Sequence, residues 1–120
     1  VSILGLGMNG HVGMNEPGTA PNLHSHISDL HSTTKQVGQK YFTKEQVLTQ
    51  GITLGLATLM ESRHLMLLVS GAHKARIIQK VLEENVSEQL PGSLLRNHAD
   101  FSVYLEPTSA QLLKQQLQKS

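Results

Sequence analysis

The stretch Leu4-Gly-Leu-Gly-Met-Asn-Gly-His-Val-Gly-Met-Asn-Glu-Pro17 places glycines, two asparagines, a histidine and a glutamate directly behind the apolar run Ser2-Ile-Leu4. An apolar run of strand length closed by glycine reads as a buried, central parallel strand over residues 2–6. Its C-terminal end would deliver the loop Gly7–Glu16 to a ligand crevice. Glycines alone specify only positive φ or close backbone packing. The polar set that follows them, Asn9, His11, Asn15 and Glu16, gives the loop a chemical reading. An imidazole and a carboxylate beside a flexible, anion-friendly backbone are the parts needed for proton transfer on a phosphorylated substrate.

Outward from that loop, Pro17 to Ser32 carries Gly18, Pro21, Asn22 and three histidines with no sustained hydrophobic period, which predicts a long irregular excursion. Gln46–Ser62 is predicted as a helix from the spacing of Leu54, Ala57, Leu59 and Met60, with Gly51 and Gly55 tolerated inside it. His64–Val69 is a continuous apolar run of strand length. Ser70-Gly71 then turns the chain into a helix over Ala72–Glu84, where Ala75, Ile77, Ile78, Val81 and Leu82 form a stripe. Pro91-Gly92 marks a turn, Ser93–His98 a short helix and Phe101–Leu105 a third strand. Pro107 suits the first turn of a closing helix with Ala110, Leu112, Leu113 and Leu117 on its apolar side. The order β, long loop, α, β, α, β, α predicts an α/β fold: three-layer, with a mainly parallel Rossmann-like sheet and flanking helices.

The 120 residues suffice for one domain with a real core. Aliphatic residues dominate that core, since Tyr41, Phe42, Phe101 and Tyr104 are the only aromatics. The formal charge of +1, with Lys and Arg dispersed, gives no nucleic-acid footprint and directs attention to small molecules. Absence of cysteine excludes a disulfide framework and a thiol nucleophile, and agrees with a cytoplasmic setting. No apolar stretch approaches the roughly 20 residues of a membrane span, so no membrane partner is expected. Val1 opens directly into a strand reading, so the expectation is a single partial domain, residues 1–120, from a longer polypeptide.

Each candidate side chain has a plainer reading beside the functional one. His11, with an ordinary pKa of about 6.5, can move a proton near neutrality, and Glu16 can bias its tautomer and favour its charged form. The plainer reading is a satisfied loop histidine and a solvated acid. Asn9 can hold His11 or a sugar hydroxyl but is no base. Lys74, in Ser70-Gly-Ala-His-Lys74 at a helix start, makes sense if an anion compensates it, and reads equally well as a solvated lysine. Lys40, ahead of Tyr41 and Phe42, can reach the same anion or serve as a surface cation. His24, His26 and His31 have spacings that can converge, but Asp29 is the only acid near them and no metal is assigned.

Gly5 to Pro17 closely resembles the signature of the glucosamine-6-phosphate deaminase/isomerase family, which also includes 6-phosphogluconolactonases. Lys40-Tyr-Phe42, Gly51-Ile-Thr-Leu-Gly-Leu56, Leu68-Val-Ser-Gly71 with Lys74, and Glu106-Pro107 match in the same order. Asn-Glu-Pro favours the amino-sugar branch. Asn9, His26-Ile-Ser28 and Gly51–Leu56 are most similar to the galactosamine-6-phosphate isomerases. The resemblance implies ring opening of a hexosamine 6-phosphate, aldose–ketose isomerisation and loss of ammonia, with no cofactor. It implies His11 as ring-opening acid/base, Glu16 as its partner carboxylate with Asn9 beside them, and Lys74 and Lys40 as phosphate ligands. Asn9 and Lys40 stand where glucosamine enzymes usually carry aspartate and arginine, so His11 should protonate less readily and the bidentate fork is lost. His26 and Ser28 replace the basic residues that read an activator in some hexameric members, so no such allostery is expected.

The family chain is about twice this long. Its N-terminal half supplies a phosphate loop and the aspartate that removes the C2 proton, which leaves this chain as a C-terminal half, inactive alone. A homo-oligomer is compatible with the resemblance. A lactonase-like hydrolase and a non-catalytic sugar-phosphate-binding module are the alternatives.

Overall fold

The computed structural model describes residues 1–44 and 47–114. In chain order its elements are β1 (Ser2–Leu4), β2 (His26–Asp29), α1 (Ser32–Gly38), β3 (Gln50–Thr53), α2 (Leu56–Met60), β4 (Leu65–Val69), α3 (Ala75–Glu83) and β5 (Phe101–Leu105). Short 3-10 helices at Gln39–Tyr41, Ala72–Lys74 and Pro91–Asn97 complete them.

β4 organises the fold. Its sequence, Leu-Met-Leu-Leu-Val, points Leu65, Leu67 and Val69 to one face, where all three are buried. Parallel strands flank it on both edges in the order β1-β4-β5, with Leu4 opposite Leu67 and Leu67 opposite Val103. α3 follows through the predicted glycine turn. Its Ala75, Ile77, Ile78 and Val81 are the buried positions, and the last three join Leu65, Leu67, Val69, Leu95, Leu56 and Leu59 in one core cluster. The α/β fold with a parallel sheet and flanking helices is thus present, and the turn–helix–strand run from 64 to 105 lies where the sequence put it.

Four expectations are corrected. β1 is an edge strand of the described sheet rather than a central one, paired only with β4 among the described strands, and Ile3 is 63% exposed on the sheet face that also carries the half-exposed Leu68. The excursion after Pro17 contains β2, and the stretch read as one helix contains β3. These two pair antiparallel, with Ile27 opposite Ile52. Gly55, in extended backbone, is the N-cap at which the helix Leu56–Met60 begins, and a side chain there would collide with the Leu23 and His24 carbonyl oxygens. Gln46 lies outside the described residues. α1, which has no buried residue and hence no hydrophobic period, was not anticipated. After Pro107 the chain forms turns through residue 112 instead of a closing helix, and Leu117 lies outside the described residues.

The alternation along β4 predicts that Leu67→Ala lowers unfolding stability by about 2–5 kcal/mol, the cost of a core cavity. Leu68→Ala, on the opposite and half-exposed face, should cost about 1 kcal/mol or less. Urea unfolding of both variants checks this, and equal losses would show the face assignment to be wrong.

Candidate active site

The glycine loop leaves the C-terminal end of β1 and folds back on itself. The Gly7 amide donates to the His11 carbonyl at 2.9 Å and the Gly10 amide to the Gly7 carbonyl at 3.0 Å. The imidazole of His11 lies over Gly7 so closely that a Cβ there would collide with the ring. Gly7 is therefore a steric requirement of the histidine's placement. Asn15 is a clamp rather than a reactive group: fully buried, it donates from Nδ2 to the carbonyls of Val12 at 2.8 Å and Leu54 at 2.9 Å.

The structure brings His11, Asn9 and Glu16 together. Around His11 Nδ1 stand three oxygens: Asn9 Oδ1 at 2.7 Å, Glu16 Oε1 at 3.3 Å and Thr34 Oγ1 at 3.3 Å. The His11 backbone amide also donates to Asn9 Oδ1, at 3.1 Å, which orients the amide with its oxygen toward the ring. Thr34 uses its hydroxyl proton on Glu16 Oε1 at 2.8 Å, so toward His11 it presents a lone pair. Three acceptors fix the proton of the neutral imidazole on Nδ1. The lone pair then lies on Nε2, which has no partner among the described residues.

Glu16 is only 3% exposed in its side chain, and its second oxygen accepts the His31 backbone amide at 2.7 Å. Burial pushes the His11 pKa below its ordinary value; Glu16 opposes that shift, while Lys74 and His31 add to it. The lowered proton affinity matches the direction expected from a neutral Asn9, but its main cause is desolvation.

A cavity of about 590 Å³ opens beside this group, with His11, Lys40 and Lys74 on its wall together with Thr34, Met14 and Tyr41. Lys74 ends the 3-10 turn after β4, and its ammonium donates to the Leu6 carbonyl in the loop behind β1. Burial lowers its pKa, and the charge of Lys40 lowers it further. Lys40 is exposed, in the turn after α1, its ammonium 5.1 Å from the Tyr41 ring centroid. Two cations that disfavour each other across one cavity make a place for an anion.

Two other histidines, in the segment after Pro17, are engaged away from His11. His24 Nε2 pairs with Glu61 at 3.0 Å, and His26 Nδ1 donates to the His24 carbonyl at 2.8 Å. Among the described residues no three His, Cys, Asp or Glu side chains converge as a metal would need. Sequence reasoning missed Thr34 and the His31 amide. Both lie in a polar segment whose only signal is the distance at which it folds back onto Glu16.

The parallel strands and the polar loops at their C-terminal ends define an α/β protein with a candidate small-molecule site at the carboxyl edge of its sheet. A family model for glucosamine-6-phosphate isomerases/6-phosphogluconolactonase matches residues 1–104, and the chain belongs to that family. Glucosamine-6-phosphate deaminase 1 of Bacillus subtilis is 38% identical over 113 residues, 93% of this chain and 47% of its own. The glucosamine-6-phosphate deaminase of a Geobacillus species is 38% identical over 120 residues, 99% of this chain and 48% of its own. A solved monomeric glucosamine-6-phosphate deaminase superposes with a TM-score of 0.87 at 38% identity, over 92% of this chain and 46% of that one. The 6-phosphogluconolactonase of Trypanosoma brucei shares the fold, with a TM-score of 0.67 at 22% identity over 91% of this chain and 40% of that one. The chain spans about half the length of the curated relatives it matches. No helix among the described residues is long and apolar enough to cross a membrane.

The lowered proton affinity of His11 sets a pH dependence. Unfolded, it titrates near 6.5; folded, it resists the proton, so just below about 6.5 the unfolded state binds more protons and stability falls as pH falls. His11→Gln should flatten that acid-side decline. Urea unfolding of both proteins between about pH 5 and 7.5 reads the difference, and a constant gap across the window would contradict it.

Proposed function

We propose that the protein carrying this chain is a hexosamine-6-phosphate isomerase/deaminase, and that these residues supply the ring-opening acid–base group and part of the phosphate clamp. The observation that carries this reading is His11, held by Asn9, Glu16 and Thr34 with its Nε2 lone pair free, on the wall of a cavity that Lys40 and Lys74 make cationic. Nε2 takes the proton of the anomeric hydroxyl as the C1–O5 bond of the sugar breaks, and the imidazolium returns it to the ring oxygen. Glu16 stabilises the transient imidazolium from the Nδ1 side. Lys74 and Lys40 bind the 6-phosphate as point charges.

Removal of the C2 proton and completion of the phosphate clamp are assigned to residues outside these 120. The isolated chain is then an incomplete site, expected to bind phosphate weakly and to turn over nothing. The named relatives are glucosamine-6-phosphate deaminases, whereas Asn9, His26 and Ser28 lean toward galactosamine 6-phosphate. Both epimers belong in the assay.

The complete gene product should convert one of the two hexosamine 6-phosphates to ketose 6-phosphate with stoichiometric ammonia. Turnover of neither sinks the proposal, and hydrolysis of 6-phosphogluconolactone without ammonia selects the hydrolase. His11→Gln should lower kcat by roughly 10²-fold or more. Inorganic phosphate should raise the Tm of the chain, and Lys74→Met and Lys40→Met should each shrink that rise. A rise untouched by both substitutions would place the anion elsewhere.

A further inference from the structure

Thr34 has a place in this site that helix packing does not explain. α1 buries none of its residues, so Thr34 is not there to fill a core. Its hydroxyl instead sits between the two members of the acid–base pair, donating to Glu16 Oε1 at 2.8 Å and facing His11 Nδ1 at 3.3 Å. Glu16 Oε1 also lies 3.3 Å from Nδ1, longer than a charge-assisted bond prefers. With almost no exposure to water, Glu16 depends on the donors it has: the Thr34 hydroxyl on one oxygen and the His31 amide on the other.

We propose that Thr34 is a positioning residue that shares Glu16 Oε1 with His11, holding the carboxylate back from the ring so that the imidazole keeps its lone pair on Nε2 for ring opening. This rests on His11 being the acid–base group. Removing the hydroxyl leaves a buried carboxylate oxygen short of a donor, and the nearest remaining one is His11 Nδ1–H. The oxygen closes on it, and the stronger contact favours the imidazolium, whose Nε2 carries a proton and cannot act as a base. The other groups facing His11 do not replace the hydroxyl. Asn9 is neutral and already accepts from Nδ1, Lys74 and His31 disfavour the charged ring, and Lys40 acts on Lys74.

The test is an NMR titration of His11 in the 120-residue chain, with Thr34→Val and Thr34→Ser beside the wild type. Thr34→Val should raise the His11 midpoint by about half to one pH unit, a roughly three- to tenfold gain in proton affinity. Thr34→Ser, which restores the hydroxyl, should titrate like the wild type. Nitrogen shifts of wild-type His11 above its midpoint should show the proton on Nδ1, a reading that needs no variant to fold. A midpoint unchanged or lowered in Thr34→Val, or a wild-type proton on Nε2, overturns the inference. In the complete gene product the acid limb of kcat should move to higher pH in Thr34→Val, with KM changed less than about twofold, and Thr34→Ser should rescue it. Turnover with an unmoved titration sinks the role of Thr34 alone. Absence of turnover sinks the proposed function, and the titration still decides whether Thr34 governs His11.

Discussion

A carboxylate buried as deeply as that of Glu16 must be bonded on both oxygens, since an ion moved out of water loses several kcal/mol of solvation unless donors replace it. The donors come from two places far apart in the chain: the ring of His11 on the glycine loop, and the His31 amide and Thr34 hydroxyl at the start of α1. Folding the loop therefore docks a segment with no apolar face of its own. The same constraint positions Lys40, which follows α1 in the next helical turn. The narrow approach of the His11 ring to Gly7 closes the arrangement from the other side.

The cationic wall of the cavity works against the folded state as it stands. Lys74 is partly buried and repelled by Lys40, and its ammonium is held by a carbonyl rather than a carboxylate. Local conflict of this kind is what a site arranged for a ligand rather than for stability would show. In the proposed function, the anion that compensates this charge is a sugar 6-phosphate. The 6-phosphogluconolactonase at 22% identity shares the fold, and a shared fold does not by itself fix the chemistry.

Local pattern made β4, the Gly71 turn, α3 and β5 legible. A five-residue apolar strand and a helix with a clear stripe declare themselves over short windows, and each buries its own side chains. β2 and β3 did not, because their ladder joins residues more than twenty apart and neither strand has a strong period. Gly51 and Gly55, tolerated inside a helix at the sequence level, belong instead to a strand and to the break before α2. Within the described sheet β1 is paired on one side only: an apolar run shows that a strand exists, while its neighbours in the sheet depend on segments elsewhere.

By itself the sequence determined the chemical inventory: a glycine loop carrying His11 and Glu16 behind a strand, cations at Lys40 and Lys74, and an α/β frame to hold them. Those features follow from residue type and near spacing, which a linear chain displays directly. Only the tertiary structure decided that Asn15 is a clamp, that Asn9, Glu16 and Thr34 together fix the His11 proton on Nδ1, and that Lys40 and Lys74 share one cavity. Hydrogen-bond partners and desolvation depend on what folds against a group, and for Glu16 the deciding partners lie fifteen and eighteen residues away.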